Sequence, residues 1–180
     1  MRSRRRSILL ILATVAVLFV ASSTIAMAKT NVYKTIYQGN GKVAVYFQEA
    51  VKFDNPSVIV KDSDKKTYKD EILATTTRKI QFQIKDYKTD ETYKITIKGA
   101  DSGNEEISLK ILSKDSAKKI AKDESNAKSI HDVECESGTH HYYAIWRVTF
   151  KGISSDKEWE YTYLIRQQDG RVLASSKKQA

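Results

Sequence analysis

Three histidines in the last third of the chain lie close in sequence to two glutamates and the single cysteine. The residues are His131, His140 and His141, with Glu134, Cys135 and Glu136 between them. Imidazole, thiolate and carboxylate groups are the ligands that zinc and copper take in proteins. The cluster suits a transition-metal site only if the backbone turns these side chains toward one point.

The predicted strand that carries most of the cluster does not do so. On a strand over residues 130–136, Val133 and Cys135 share one face while Glu134 and Glu136 share the other, so the thiol and the acids point apart. The sequence also lacks zinc-type Cys and His spacing. We predict a buried core cysteine beside a polar turn, with no metal and no other cofactor; a histidine-based metal sensor is the alternative.

Catalytic motifs are missing from the sequence. It contains no GxSxG, no HExxH, no phosphate-binding glycine loop and no Cys–His signature. Acid pairs such as Asp70-Glu71 and Glu158 with Glu160 fall on alternately charged strand exteriors, whereas general acid–base catalysis needs a cleft and a shifted pKa. The sequence therefore predicts no catalytic residue and a protein that is not an enzyme.

The charge of the chain excludes some partners. The 180 residues carry 31 Lys and Arg against 22 Asp and Glu, but the first 28 hold four arginines and no acid. The remaining 152 residues thus have 27 bases against 22 acids, with lysines and acids interleaved. This pattern predicts no nucleic-acid binding and only a weak, salt-screened attraction to anionic envelope polymers.

The N-terminus has the pattern of a secretory signal. Residues 1–6 are basic, residues 8–21 are apolar apart from Thr14, and Ala26-Met27-Ala28 places small residues where a signal peptidase cuts. We predict that residues 1–28 are a signal peptide. Because the stretch 8–28 is 21 residues long, an uncleaved membrane anchor is the alternative. Both place the body outside the cytoplasm, secreted or in the cell envelope, as in Gram-positive bacteria.

Residues 29–112 alternate apolar and polar side chains in about seven short runs, which is typical of an antiparallel β-sandwich. The runs KVAVYFQEAVKF and TRKIQFQIKDYKTDETYKITIKGADSGN resemble bacterial Ig-like domains. The resemblance implies that Tyr93 is a corner tyrosine whose hydroxyl ties its strand to the neighbouring loop.

The pattern changes at Ser113, which can cap a helix that ends near Ser125-Asn126. Asp115 lies in its first turn, and Ala117, Ile120 and Ala121 form one apolar stripe. Four strands then follow, over residues 130–136, 142–150, 158–166 and 172–176. The predicted turns between them are Gly138-Thr139, residues 152–156 and Asp169-Gly170.

Residues 113–180 resemble a PepSY domain through SKDSAKKIAKDE, YAIWRVTF and EYTYLIRQQDGRVLASSKK. The resemblance implies one helix packed on a curved antiparallel sheet. The predicted fold class is thus two domains, an all-β Ig-like sandwich over residues 29–112 followed by an α+β PepSY-like domain over residues 113–180. PepSY domains accompany protease propeptides and envelope regulators, which implies binding or restraint of a peptidase.

Alternation also predicts a partner surface. Tyr143 and Ile145 are assigned to the outward face of one strand and Leu164 to that of its neighbour, so the three combine into an exposed apolar patch. We predict an extracellular protein partner, such as a peptidase or a wall hydrolase, bound without chemistry. The alternative is an envelope glycan-binding or spacer protein that acts through the Ig-like domain.

Overall fold

The computed structural model describes residues 31–180, so the predicted signal segment lies outside the described residues. These residues form twelve strands and one helix. The first eight strands are β1 (Val32–Gly39), β2 (Lys42–Phe47), β3 (Phe53–Lys61), β4 (Thr67–Tyr68), β5 (Asp70–Thr76), β6 (Lys79–Ile84), β7 (Glu91–Ala100) and β8 (Glu105–Ile111). The rest are α1 (Lys114–Ser125), β9 (Lys128–His140), β10 (Tyr143–Ser154), β11 (Lys157–Arg166) and β12 (Val172–Gln179). Within residues 31–180, no helix combines the length and apolarity needed to cross a bilayer.

Two four-stranded antiparallel sheets, ordered β1-β2-β6-β5 and β4-β3-β7-β8, pack face to face around one core. Alternate residues of β2, β6 and β7 point into this core, as the period-two pattern predicts. The corner role of Tyr93 is confirmed, because its buried hydroxyl donates to Lys88 O at 2.9 Å and accepts from Lys88 N at 2.7 Å.

The third sheet, ordered β9-β10-β11-β12, has its own core, which includes Val148, Phe150, Tyr161, Tyr163 and Ile165. Helix α1 contributes two buried alanines, Ala117 and Ala121, to this core. The helix starts and ends as predicted, because Ser113 Oγ accepts from Ser116 N at 3.1 Å and Asn126 adopts the left-handed conformation.

The predicted fold class, an Ig-like sandwich followed by an α+β PepSY-like domain, is wrong. The described residues are 65% strand and 8% helix and form three four-stranded antiparallel sheets, with no PepSY-like α+β domain. The physical reason is the length of the C-terminal strands, which run for 13, 12, 10 and 8 residues against one helix of 12. The division into domains at residues 112 and 113 stays a prediction.

One predicted turn is wrong and a second is too long. Gly138-Thr139 lies inside β9, and the loop falls at His141-Tyr142 instead. The predicted turn over residues 152–156 contains the loop at Ser155-Asp156, but its first three residues lie inside β10. Gly152 is required by packing rather than by a turn, because a Cβ there would lie 2.9 Å from Ala127 Cβ. As a consequence, Tyr142 is in a loop and 73% exposed, although alternation assigned it to the inward face.

Two adjacent glutamines between β11 and β12 join the third sheet to the first. The Gln168 side chain donates from Nε2 to Thr35 O at 3.0 Å and accepts from Tyr37 N at 3.1 Å, as a residue on a neighbouring strand would. Buried Gln167 donates from Nε2 to Ile145 O, and its carbonyl accepts from Leu112 N. The amide of Gln168 thereby covers part of the β1 edge and ties the two parts together.

Candidate binding face of the C-terminal sheet

The predicted surface patch is not exposed as a unit. Ile145 is buried, with 2% of its surface accessible, so the prediction that it faces solvent is wrong. Tyr143 is half-buried between two cations, with Arg166 Cζ at 4.8 Å and Lys34 Nζ at 5.5 Å from its ring centroid. Leu164 is half-buried and lines a surface depression on the outer side of the sheet.

Contact with the first sheet explains why the predicted patch is not exposed as a unit. The start of β10 lies against β1, where Lys34 covers Tyr143 and Ala144 joins the core of the sandwich. Alternation within β10 identifies two faces of the strand, but it cannot show that a distant strand covers the outward face at one end. Within residues 31–180, it is from Arg147 onward that β10 keeps an outer face that no other element covers.

The uncovered part of the third sheet, which we call the open face, consists of aligned side chains on three strands. Its first row is Arg147, Leu164 and Ala174, and its second row is Thr149, Thr162 and Ser176. These residues line an open depression of about 410 Å³, which adjoins a second depression through Thr149 and Glu160. The open face therefore combines hydroxyl groups, a small aliphatic strip and a guanidinium group.

Charges along one border of the open face are paired. Lys151 Nζ lies 3.1 Å from Asp132 Oδ2, and Lys178 Nζ lies 3.0 Å from Glu160 Oε1. The hydrogen bond from Lys151 holds the pKa of Asp132 below its usual value and raises the pKa of Lys151 itself. This border is consequently neutralised by its own residues.

The remaining charges of the face have no such partners. Arg147 lies opposite Glu136 in the strand register, yet among residues 31–180 its guanidinium makes no ion pair or hydrogen bond, and neither do the carboxylates of Glu134 and Glu136. An exposed guanidinium beside hydroxyl groups is suited to bind carboxylate or phosphate oxygens on a partner.

The His140 and His141 rings are in contact, with 4.4 Å between centroids, but this pair, His131 and Cys135 lie far from one another. Cys135 is buried against the helix, with Sγ 3.9 Å from Lys114 O, and burial raises the pKa of its thiol. His131 Nε2 lies 3.2 Å from Glu158 Oε1 on β11, whereas His140 lies five residues beyond Cys135, about 16 Å along the strand. In the described part of the chain, no three His, Cys, Asp or Glu side chains are grouped to hold a metal.

One aromatic pair on the sandwich combines an exposed tyrosine with a half-buried one. Tyr33 is 62% accessible, and its ring meets the Tyr46 ring edge to face with 6.3 Å between centroids. The other paired tyrosines, Tyr37 with Tyr87 and Tyr68 with Tyr93, each contain a buried ring in the core. The sequence shows no clustering of these tyrosines, because Tyr33 and Tyr46 become neighbours only when β1 pairs with β2.

The sequence patterns did not identify the residues that are most informative about this site. Arg147 and Thr149 occupy odd positions of β10, so alternation assigns them to the same face as Tyr143, but neither is apolar and neither entered the predicted patch. Gln167 and Gln168 gave no signal at all, because a side-chain amide that caps a strand edge leaves no periodic pattern in the sequence.

Fold and site together define an antiparallel β protein whose third sheet has one face on a core and one open, polar face. No protein-family model matches the chain, and no curated protein sequence matches it.

Proposed function

We propose that this protein is a non-enzymatic binding module that works outside the cytoplasm and binds a protein partner through the open face. The observation that supports the proposal is the aligned pair of rows on the third sheet, where Arg147 lies beside hydroxyl groups and Leu164 and has no partner among residues 31–180. Such a face offers a small apolar contact surrounded by groups that form hydrogen bonds, as in the mixed composition of protein interfaces.

The proposed partner is a peptidase or a wall hydrolase. This class rests only on the resemblance of the sequence motifs in residues 113–180 to PepSY sequences, since the fold itself has no PepSY-like α+β domain. Restraint of such an enzyme would occur by surface occlusion, because binding over the open face requires no reaction. The secreted or envelope location rests on the pattern of residues 1–28 alone.

A crosslinking capture from the envelope and medium of the parent organism tests the proposal. The bait is the full secreted chain, compared with an Arg147→Glu, Leu164→Asp variant. The matched control is Leu73→Asp, which changes an aliphatic residue on β5 that is 40% exposed and far from the open face in the fold.

The proposal requires an identified peptidase or hydrolase that is captured by the native chain and the control but lost by the double variant. The purified enzyme must also lose activity when the native chain is added. Capture that is equal for all three baits, or an enzyme whose activity is unchanged, refutes the proposal.

Glycan binding through the sandwich is the second candidate, and exposed Tyr33, with the half-buried Tyr46 ring against it, favours it. Sugar rings stack on accessible aromatic faces, so Tyr33→Ala should reduce retention of the protein on isolated cell walls. Tyr142→Ala removes an equally exposed tyrosine elsewhere and serves as the control. Equal retention of both variants and the native chain excludes this site.

A further inference from the structure

The two outer strands of the third sheet differ from the other sheet edges of the described residues. In the sandwich, β1 is capped by Gln168, β4 has only two residues, β5 has a register shift between Ile72 and Ala74, and β8 contacts β1. Shortening, bulges and covering elements are the means by which proteins block strand addition at an edge.

By contrast, parts of β9 and β12 are regular and open. Residues 134–140 of β9 pair with β10 without irregularity, and residues 174–179 of β12 pair with β11 in the same way. All residues of β12 from Ala174 onward are exposed, as are five of the seven residues 134–140; Cys135 is buried and His140 is half-buried. Within residues 31–180, no strand pairs with the outer side of either one.

We propose that copies of this chain associate head to tail, with β12 of one copy adding to β9 of the next. The pairing continues the antiparallel sheet from copy to copy, because a four-stranded antiparallel sheet has outer strands that run in opposite directions. This inference is independent of the proposed function of the open face.

The charges on the two strands favour a second copy of this chain as the partner, and they favour pairing of β12 with β9. Among residues 31–180, Glu134 and Glu136 of β9 have no internal partners. β12 carries Lys178, which also pairs with Glu160 of its own sheet at 3.0 Å, and Lys177, which lies over the Trp159 ring. Pairing of β9 with β9, or of β12 with β12, brings like charges together, which disfavours both symmetrical dimers. Pairing of β12 with β9 places lysines beside glutamates.

In both strands, the backbone N–H and C=O groups that face outward belong to odd-numbered residues, so the two sets can meet in one register. Ala180 N donates to Glu158 O at 3.2 Å, so even-numbered residues at this end of β12 direct their backbone groups to β11 and odd-numbered residues direct theirs outward. The two-residue loop after His140 makes His140 and Tyr143 a hydrogen-bonded pair, which likewise leaves the odd-numbered residues of β9 facing outward.

One register satisfies all these conditions with the longest overlap. Placing Lys178 opposite Glu134 of the next copy pairs Val172–Gln179 with residues 133–140. Outward groups meet outward groups over the regular parts of both strands, where residues 174–178 lie opposite residues 134–138. Lys178 and Glu134 then lie on the same face of the joined sheet, since both are on the outer face of their own strands. Because the two contacting surfaces differ, the association is open-ended unless its rotation closes a ring.

Sedimentation velocity of the full chain, secreted from a bacterial host, tests the pairing through the backbone. We expect mass that increases with protein concentration and decreases with added salt, since the paired charges are exposed. Ser175→Pro removes an outward N–H of β12 without removing a bond to β11, and it should give a monomer. Ser175→Ala keeps the N–H and should associate like the native chain.

A charge exchange tests the register. Lys178→Glu and Glu134→Lys should each weaken association about tenfold, and the chain with both changes should associate more tightly than either single variant. Circular dichroism and thermal unfolding of each variant establish that it is folded. A native chain that stays monomeric at every concentration, association that survives Ser175→Pro, or a double variant no tighter than the singles overturns the proposal.

Discussion

Individual side chains fix two loops of the sandwich through hydrogen bonds to backbone groups. Tyr93 binds both the N–H and the carbonyl of Lys88. Asp62 accepts from Asp64 N, Lys66 N and Tyr68 Oη, and it is itself nearly buried. Burial raises the pKa of Tyr68 to about 12, with a further contribution from its bond to Asp62, so its hydroxyl remains a donor at physiological pH. Each loop is therefore sensitive to a single functional group.

Tyr93→Phe should destabilise the protein by about 1–3 kcal/mol, because it retains the buried ring but leaves the N–H and carbonyl of Lys88 without their partner. Urea unfolding at neutral pH measures the change in the free energy of unfolding. Tyr142→Phe alters an exposed hydroxyl and is the control. Equal stability of the two variants would show that the corner bond contributes nothing.

We expect the hydrogen bonds to Asp62 to make the stability of the protein fall in acid. Burial alone raises its pKa, but the hydrogen bonds from Lys66, Tyr68 and Asp64 outweigh burial and hold the pKa below the usual 3.8. A carboxyl whose pKa is lower in the folded state stabilises above its unfolded pKa, near 3.9, and this contribution is lost as the pH falls through the folded pKa.

We expect the native chain to have a higher urea midpoint than Asp62→Asn at neutral pH, with a difference that closes as the pH drops below about 4. Urea titrations at a series of pH values measure both midpoints. A difference that is the same in acid and at neutral pH contradicts the assignment.

At the scale of elements, the start of helix α1 connects the two parts of the chain. Ser113 Oγ caps the helix, while Ser113 N donates to Asp90 Oδ1 at 3.0 Å on the loop before β7. Burial raises the pKa of Asp90, but hydrogen bonds from Ser113 and Ser116 outweigh it and the pKa is lowered. One residue thus determines where the helix begins and how it is attached to the sandwich.

Ser113→Ala should cost about 1 kcal/mol in the free energy of unfolding, since it removes the acceptor for Ser116 N. Ser113→Thr retains a hydroxyl cap and should lose less. Thermal and urea unfolding of both variants provide the comparison. If the alanine variant is as stable as the native chain, the helix start does not depend on this cap.

At the scale of the whole molecule, Gln168 couples the third sheet to the sandwich. Its amide bonds to two backbone groups of β1, and cations from both parts, Lys34 and Arg166, lie over Tyr143. Both tryptophans, Trp146 and Trp159, lie in the third sheet, whereas most strands lie in the sandwich. Fluorescence therefore reports unfolding of the third sheet, and far-UV circular dichroism reports all strands.

The two signals should give one coincident urea transition for the native chain and two separated transitions for Gln168→Ala, because the variant loses the bonds that join the parts. Gln38→Ala removes the bond between Gln38 and Gln81 within the first sheet and should keep the transitions coincident. Coincident transitions in Gln168→Ala would show that the junction holds without the amide.

Much of the local structure could be predicted from the sequence. The strand character of the alternating runs, the cap at Ser113, the helix end near Ser125-Asn126 and the corner bond of Tyr93 depend on neighbouring residues or on a short loop. Fold class was wrong because hairpin lengths were underestimated at Gly138 and Gly152, glycines that serve packing and pairing inside strands.

The sequence by itself determined which residues alternate into strands, where the single helix begins and ends, and the burial of Cys135. Only the tertiary structure decided that Ile145 is buried, that Arg147 and the hydroxyl rows form the open face, and that Gln168 caps β1. The physical reason is the separation in sequence of the residues that interact. Periodicity and helix caps depend on contacts between near neighbours. Coverage of a sheet face depends on residues more than 100 positions apart, such as Thr35 and Gln168.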